Sequence, residues 1–304
     1  MGVTACGSEA GGAASTSQTA AGTTADTAAS AEEKADTAQD TEKKDEAADS
    51  EQKAAADVQT VTAGKLTVAT SPDFAPYEFY AVDESGKPSL AGFDISLAQY
   101  IADYMGLELE VVPVDFDGVL MELQTGSVDI GLAGLSPDPK RTSIMDFSDI
   151  YYEGGQSFVT IKDKVEEFKT LADTNIKGLE IGAQTGSIQV DLAQTNSPDS
   201  DIVQLTKVTD IIAELLAGKL DGAYIETAVA ESYAKNYPEL SIVLDVPYEG
   251  AEGSAVGVSK GNEALLKAVN EAIEAAKADG SMDEFVAKAN ELASGEIIEG
   301  LLDE

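Results

Sequence analysis

The chain offers few of the side chains that enzymes rely on. It contains no His, which removes the commonest metal ligand and the usual general base near neutral pH. No nucleophile–base pair is visible, and the single Cys, Cys6, has no internal partner for a disulfide. Hydrolases and zinc enzymes are therefore disfavoured. What the sequence carries instead is the chemistry of recognition. Arg141 closes the run Ala133-Gly-Leu-Ser-Pro-Asp-Pro-Lys-Arg141, and a guanidinium presents a planar fork that makes two charge-assisted hydrogen bonds to a carboxylate. Gln184-Thr-Gly-Ser-Ile-Gln189 follows a strand pattern and opens a helix pattern, and the free N–H groups of a helix start favour an anion. Glu226 ends another strand pattern where a helix begins, a place at which the dipole favours a carboxylate.

These residues sit in a very acidic chain. The 304 residues hold 19 basic and 56 acidic side chains, a formal charge of −37. Such a surface favours solubility and repels DNA, RNA and anionic lipid, so no nucleic-acid partner is expected. Apolar residues make up 43%, enough for a globular body, and no apolar run reaches the 18 residues or so that a membrane helix needs. Val3-Thr4-Ala5-Cys6-Gly7-Ser8 looks like a bacterial lipobox, the site of cleavage and lipidation at Cys6. The charged and apolar parts of a signal peptide do not precede it, so the reading is a lipoprotein whose signal has been removed. From Gly7 to Asp57 there are 12 acidic and 4 basic residues and no aromatic one. Such a segment cannot bury enough apolar surface to offset its ordering entropy, and residues 1–57 are expected to be a lipobox remnant and a disordered acidic tether.

From Val58 the pattern alternates. Lys65–Thr70 reads as a strand. Phe93, Leu97, Ile101 and Met105 repeat every four residues, which predicts a helix over 93–105 capped by Gly106. A strand is expected over 107–112, a helix N-capped by Asp117 through Gln124 to Gly126, and a strand over 128–132. The alternation resumes with strands near Ile181, Ile202 and Ala223 and helices from about Ser187, Thr209 and Glu226, then helices over 262–277 and 281–287. This predicts an α/β fold with mainly parallel sheets. Glu122-Leu-Gln-Thr-Gly126-Ser-Val-Asp129 is echoed by Glu214-Leu-Leu-Ala-Gly218-Lys-Leu-Asp221, which suggests two lobes, each with its own sheet and a ligand between them at the strands' C-terminal ends.

Five stretches then stand out: Thr70-Ser-Pro-Asp-Phe-Ala-Pro-Tyr-Glu-Phe79, Gly92-Phe-Asp-Ile95, Asp115-Phe-Asp-Gly118, the run from Ala133 to Arg141, and Asp146-Phe-Ser-Asp149-Ile-Tyr-Tyr152. In this order and at this spacing they resemble the polar amino acid-binding proteins of bacterial ABC importers, the extracytoplasmic solute-binding proteins of family 3 type. The resemblance runs from about Val58 to Glu304. It implies a two-lobed periplasmic-binding-protein-like fold of type II with two crossover hinge strands, near 156–160 and 246–250. Lobe one would comprise residues 58–156 plus 250–304, and lobe two residues 157–249.

The resemblance also implies roles. Arg141 would grip the ligand α-carboxylate, with Ser136 bonding both α-groups and Gly134 offering its carbonyl to the ammonium. Ala133-Gly134 replaces the Ser-Ser of many basic amino acid binders. Gly186, Ser187 and Ile188 match a turn whose N–H groups point to the carboxylate, with Ile188 departing from the usual hydroxyl residue. Glu226 matches the carboxylate, often Asp, that pairs with the ammonium. Phe74 and Phe116 match aromatics that sandwich the side chain. Ser71 stands where lysine and arginine binders often carry Asp, and Glu78 reaches or supports the side-chain pocket. Asp94 reads as a structural helix-start residue.

The function implied is a solute-binding lipoprotein of an amino acid ABC transporter, not an enzyme, with no cofactor or metal. It is expected to be monomeric, anchored through Cys6 to the outer face of the cytoplasmic membrane, and to meet the transporter's permease subunits. Asp73, Glu78 and Asp115 lie near the pocket segments, and Lys140 is the one extra cation there, expected to point away from Arg141. Neutral polar or cationic amino acids are therefore expected over acidic ones. The alternative is a dehydratase-type enzyme of prephenate or arogenate kind on the same fold, with Glu226 or Glu78 as acid.

Overall fold

The computed structural model describes residues 58–82, 86–248, 250 and 253–294; the expected tether of residues 1–57, with Cys6, lies outside them. The first stretch of elements is β1 (Lys65–Thr70), β2 (Asp73–Phe74), β3 (Glu78–Val82), β4 (Pro88–Ala91), α1 (Phe93–Tyr104), β5 (Glu108–Pro113), α2 (Phe116–Thr125), β6 (Ile130–Gly131) and β7 (Met145–Tyr152). The second is β8 (Gln156–Ile161), β9 (Glu180–Gln184), α3 (Ile188–Asn196), β10 (Asp201–Leu205), α4 (Val208–Leu216), β11 (Gly222–Glu226), α5 (Thr227–Asn236) and β12 (Leu240–Asp245). The chain then returns through β13 (Ser254–Ser259), α6 (Glu263–Ala278) and α7 (Ser281–Ala293).

Among the described residues these form two five-stranded sheets, in the orders β5-β1-β6-β13-β7 and β10-β9-β11-β8-β12, and a small sheet β2-β3-β4. Each large sheet has a parallel part, β5-β1-β6 or β10-β9-β11. Each is completed by antiparallel strands, β13 and β7 or β8 and β12. The sheets are thus mixed rather than mainly parallel. The physical reason is the double crossing: β8 and β13 each enter from the other sheet and run against the strand they join. The crossings are residues 153–155 and the segment between β12 and β13. Residues 156–160, expected as a hinge strand, belong to β8 and are paired into the second sheet, and 246–248 are not strand.

The helices bury the faces that their spacing predicts. In α1, Leu97, Ala98, Ile101 and Ala102 are fully buried, and Met105 follows as the C-cap. Burying a Leu or Ile side chain fully stabilises by roughly 1.5–3 kcal/mol. Two boundaries differ from the sequence reading. Helix α2 is N-capped by Asp115, while Asp117 lies inside its first turn and accepts from the Gly118 N–H at 3.1 Å. Strand β6 has only two residues.

The internal echo has a structural basis. Gly126 and Gly218 both take left-handed conformations, φ 67° and 70°, and end α2 and α4. The Asp that follows each then anchors a neighbouring parallel strand. Asp129 accepts from the Thr67 N–H of β1 at 2.8 Å, and Asp221 accepts from the Glu180 N–H of β9 at 2.8 Å.

One glycine fixes how the small sheet meets α1. Gly92 has φ 124°, and a Cβ there would lie 1.9 Å from the carbonyl oxygen of Tyr77. Gly92→Ala is expected to cost about 2–4 kcal/mol of stability and to lower the calorimetric melting temperature by roughly 5–15 °C. A shift under about 2 °C would show that the backbone relaxes there freely.

Candidate ligand-binding site

The residues singled out in the sequence follow the C-terminal ends of parallel strands, where open α/β sheets bind ligands. Ser71 and Phe74 follow β1, and Phe116 follows β5. Gly134, Ser136 and Arg141 follow β6, and Gly186, Ser187 and Ile188 follow β9. Glu226 ends β11.

Arg141 is the only arginine in the chain. It is 8% exposed, and burial pulls its pKa down from the ordinary value. Its Nη1 donates to the carbonyl of Ser136 at 3.4 Å and its Nη2 to the carbonyl of Gly186, across in the second lobe, at 3.0 Å. The guanidinium carbon lies 5.6 Å from the centroid of the Phe116 ring, a cation–π distance. Among the described residues no carboxylate pairs with it. Neighbouring Lys140 points elsewhere, into an exposed ion pair with Asp191 at 2.7 Å. A buried cation bonded only to carbonyls and a ring, with the carboxylates of Asp138 and Asp191 acting on it without pairing, is a weakly compensated charge.

The turn after β9 faces the same need. Gly186 has φ 78°. The Ser187 hydroxyl donates back to the Gln184 carbonyl at 2.7 Å, so it caps none of the N–H groups of α3. That end stays available to an anion acceptor.

Glu226 is 3% exposed. One oxygen, Oε2, accepts from the Val229 N–H at 2.9 Å and so caps α5. The other, Oε1, is buried without a hydrogen-bond partner among the described residues. Burial pushes the group up to about 7, against the lowering effects of the Val229 N–H, the nearby Tyr77 hydroxyl and the Ala228 and Gly155 N–H groups. Gly154 leaves it room, since a Cβ there would lie 2.7 Å from Oε1.

The remaining residues form an acidic, aromatic wall. Phe74 tilts onto Tyr77 with centroids 5.4 Å apart, and a Cβ on Gly134, at φ 55°, would lie 2.7 Å from Phe74 Cε1. Any side chain at 134 would therefore displace the ring. Glu78 is fully buried, with neither oxygen hydrogen-bonded among the described residues. Burial, with the charges of Asp94 and Asp73 adding, holds it well above the usual carboxylate range. Asp94 does more than begin a helix. Its Oδ2 accepts from the Gly134 N–H at 3.1 Å and the Tyr151 hydroxyl at 2.9 Å, tying the Gly134 loop to α1, and burial raises it to about 6. The Ser71 hydroxyl is occupied, donating to Asp73 at 2.8 Å. Sequence reasoning missed Tyr77, which is fully buried and accepts from Ser254 at 3.3 Å, and the Gln189–Gln156 bond of 2.7 Å between α3 and β8. Tyr77 was visible inside Pro76-Tyr-Glu-Phe79; the Gln pair left no local signal.

Two mixed sheets joined by two crossings, with the candidate site residues gathered at the parallel strands' ends, define a two-lobed binding protein of the type II periplasmic class. The chain belongs to the bacterial extracellular solute-binding proteins, family 3, matching over residues 66–290. Among its relatives is the arginine-binding extracellular protein ArtP of Bacillus subtilis, 32% identical over 229 residues, covering 74% of this chain and 85% of that protein. The L-arginine-bound structure of AbpA, an amino acid ABC transporter substrate-binding protein of Streptococcus pneumoniae, superposes with a TM-score of 0.72 at 34% identity, covering 77% of this chain and 97% of that one. The ancestral amino acid-binding protein AncCDT-1, a precursor of cyclohexadienyl dehydratase, gives 0.66 at 31% identity, covering 74% and 95%.

Proposed function

We propose that this protein captures a free amino acid between its lobes, which close on it, and delivers it to an ABC importer, and that the preferred ligand has a cationic side chain, arginine foremost. The observation that carries the reading is a pair of incomplete charges: a buried Arg141 with no carboxylate paired to it, and a buried Glu226 with one oxygen making no hydrogen bond, both among the described residues. An amino acid zwitterion supplies both missing partners. Arg141 and the first turn of α3, at Gly186, Ser187 and Ile188, take its carboxylate, with Ser136 and Gly134 lining the approach. Glu226 takes the ammonium. Phe74 and Phe116 flank the side chain, and Glu78 and Ser71 lie at its far end.

Side-chain charge follows from the same accounting. Glu78 and Asp94 are buried with no cation paired to them among the described residues, so a cationic group would neutralise them and a second carboxylate would add to them. The arginine named for ArtP and AbpA agrees. A calorimetric panel of the standard amino acids plus ornithine and cystine is expected to rank arginine first, lysine and ornithine next, and glutamate and aspartate last. Tightest binding of glutamate would overturn the charge argument, and turnover of prephenate would restore the dehydratase alternative. The protein is further read as a monomeric lipoprotein held through Cys6 outside the cytoplasmic membrane. With the native signal in place, Cys6→Ala should release it from the membrane fraction.

A further inference from the structure

Helix α4 begins without a cap of its own. Its N-cap residue is Lys207, whose side chain has donors and no acceptor, yet the first N–H groups of any helix need acceptors. The acceptor comes from the other lobe. Asp73, on β2, takes the Val208 N–H on Oδ2 at 2.5 Å. The same oxygen accepts from Gln184 Nε2, at the end of β9, at 3.2 Å. The Asp73 carbonyl accepts from the Tyr233 hydroxyl of α5 at 3.1 Å. On its own lobe, Oδ1 is steadied by the Ser71 hydroxyl at 2.8 Å. Asp73 is 8% exposed and Val208 2%, so the contact is dry. One first-lobe residue thus binds three second-lobe elements, at positions 111, 135 and 160 residues away along the chain.

We propose that Asp73 is the removable N-cap of α4: the lobes in their closed arrangement place its carboxylate on the Val208 N–H, and separating them strips the helix of that cap. This rests on the reading of the molecule as a receptor that closes on its ligand. A carboxylate on a helix N-terminus is favoured by both the hydrogen bond and the dipole, and a hydrogen bond made only in the closed form adds to the affinity without touching ligand. Asp73 is then a positioning residue. Its loss acts on how long the lobes stay shut, and so on ligand dissociation, while association with the open form is unchanged.

The test deletes the contact from either side. Val208→Pro removes the one N–H concerned. Proline is tolerated at the first helical position, and Lys207, at φ −113° and ψ 139°, already has the backbone a residue before proline requires. Val208→Ala, which trims the side chain and keeps the N–H, is the control for lost packing. L-Arginine dissociation by stopped flow is expected to speed up by roughly tenfold to a hundredfold in Asp73→Ala and Val208→Pro, the range spanned by a charge-assisted hydrogen bond. The double variant should be no faster than the faster single one, and Val208→Ala should stay within about threefold of the parent. Association rates and the order of preference among arginine, lysine and glutamine should be unchanged. Small-angle scattering of the parent with and without arginine reports closure itself. A parent that binds arginine without becoming more compact overturns the cap and the closing receptor together. A parent that compacts, while folded Val208→Pro keeps the parental dissociation rate, overturns the cap alone. An Asp73→Ala protein with altered association or ligand ranking makes Asp73 a ligand contact and also overturns it. Should Asp73→Ala fail to fold, the two Val208 variants decide the question.

Discussion

Replacing Arg141 by Ala is expected to weaken amino acid binding by about 30-fold to several-thousand-fold while leaving the unliganded fold intact. The size follows from the charge left behind. Truncating one partner of a desolvated, hydrogen-bonded charge pair costs roughly 2–5 kcal/mol, and each 1.4 kcal/mol or so is tenfold in affinity. The sparing of the fold follows from what Arg141 touches without ligand: two carbonyls and the Phe116 ring, with no ion pair among the described residues. Removing a buried cation with no paired carboxylate, on which burial outweighs the charges of Asp138 and Asp191, relieves a desolvation cost, so the unliganded melting temperature should hold or rise. Calorimetric titration with arginine and a thermal scan of each free protein measure the two effects. An affinity change under about threefold, or roughly 0.7 kcal/mol, would remove Arg141 from the site.

Glu226 should make both stability and affinity depend on pH, in opposite directions. Its folded pKa is raised to about 7 from an ordinary 4.5, so the folded, unliganded protein binds that proton more tightly than the unfolded chain does. The stabilising contribution is complete below about pH 4.5 and is lost as pH rises through about 7. Asp73 and Asp94, raised from 3.8 to about 6 by burial, act in the same direction over a lower window. The free protein is therefore expected to melt at a higher temperature at pH 5 than at pH 8. Binding runs the other way. An arriving ammonium needs Glu226 ionised and expels its proton, so affinity should climb by up to about tenfold per pH unit below 7 and level off above it. Titrations near pH 6 in buffers of different ionisation enthalpy should show protons released with each arginine bound. Glu226→Gln, which keeps an acceptor for the Val229 N–H, should release fewer and bind at least about 30-fold more weakly. Affinity that is flat from pH 5 to 8, with no protons released, would detach Glu226 from the ammonium.

Much of this was legible in the sequence, because it rests on short-range rules. Apolar spacing placed α1, the helix-ending glycines at 126 and 218 marked α2 and α4, and strand β1 falls on Lys65–Thr70 as read. Helix α7 runs on to Ala293 because its buried face ends in Ala289 and Ala293, residues too small to make an apolar stripe conspicuous. The antiparallel strands escaped notice because direction within a sheet is set by where the chain comes from, which a local pattern does not record. In the site, residue types at strand ends could be read, and partners could not. Asp94 looked like a helix-start residue until Gly134 and Tyr151 were seen on its carboxylate. Asp73 read only as a residue close in sequence to the pocket, and its bond to Val208, 135 residues away, left no local signal.

The position of β13 also sets the order in which the chain supplies its two large sheets. The second sheet is drawn from one unbroken stretch, residues 156–245, whereas the first keeps a place between β6 and β7 for a strand that begins only at Ser254. Among the described residues, strand β7 has no other neighbour in that sheet. A chain lengthening from its N-terminus therefore holds everything the second sheet requires while the first still has a gap between β6 and β7. Filling that gap means closing a loop of about a hundred residues, a slow step unless the intervening stretch is already compact. Because the second sheet is drawn from that stretch alone, its folding would bring the two ends of the loop together. The lobe that the chain begins first is the one it finishes last.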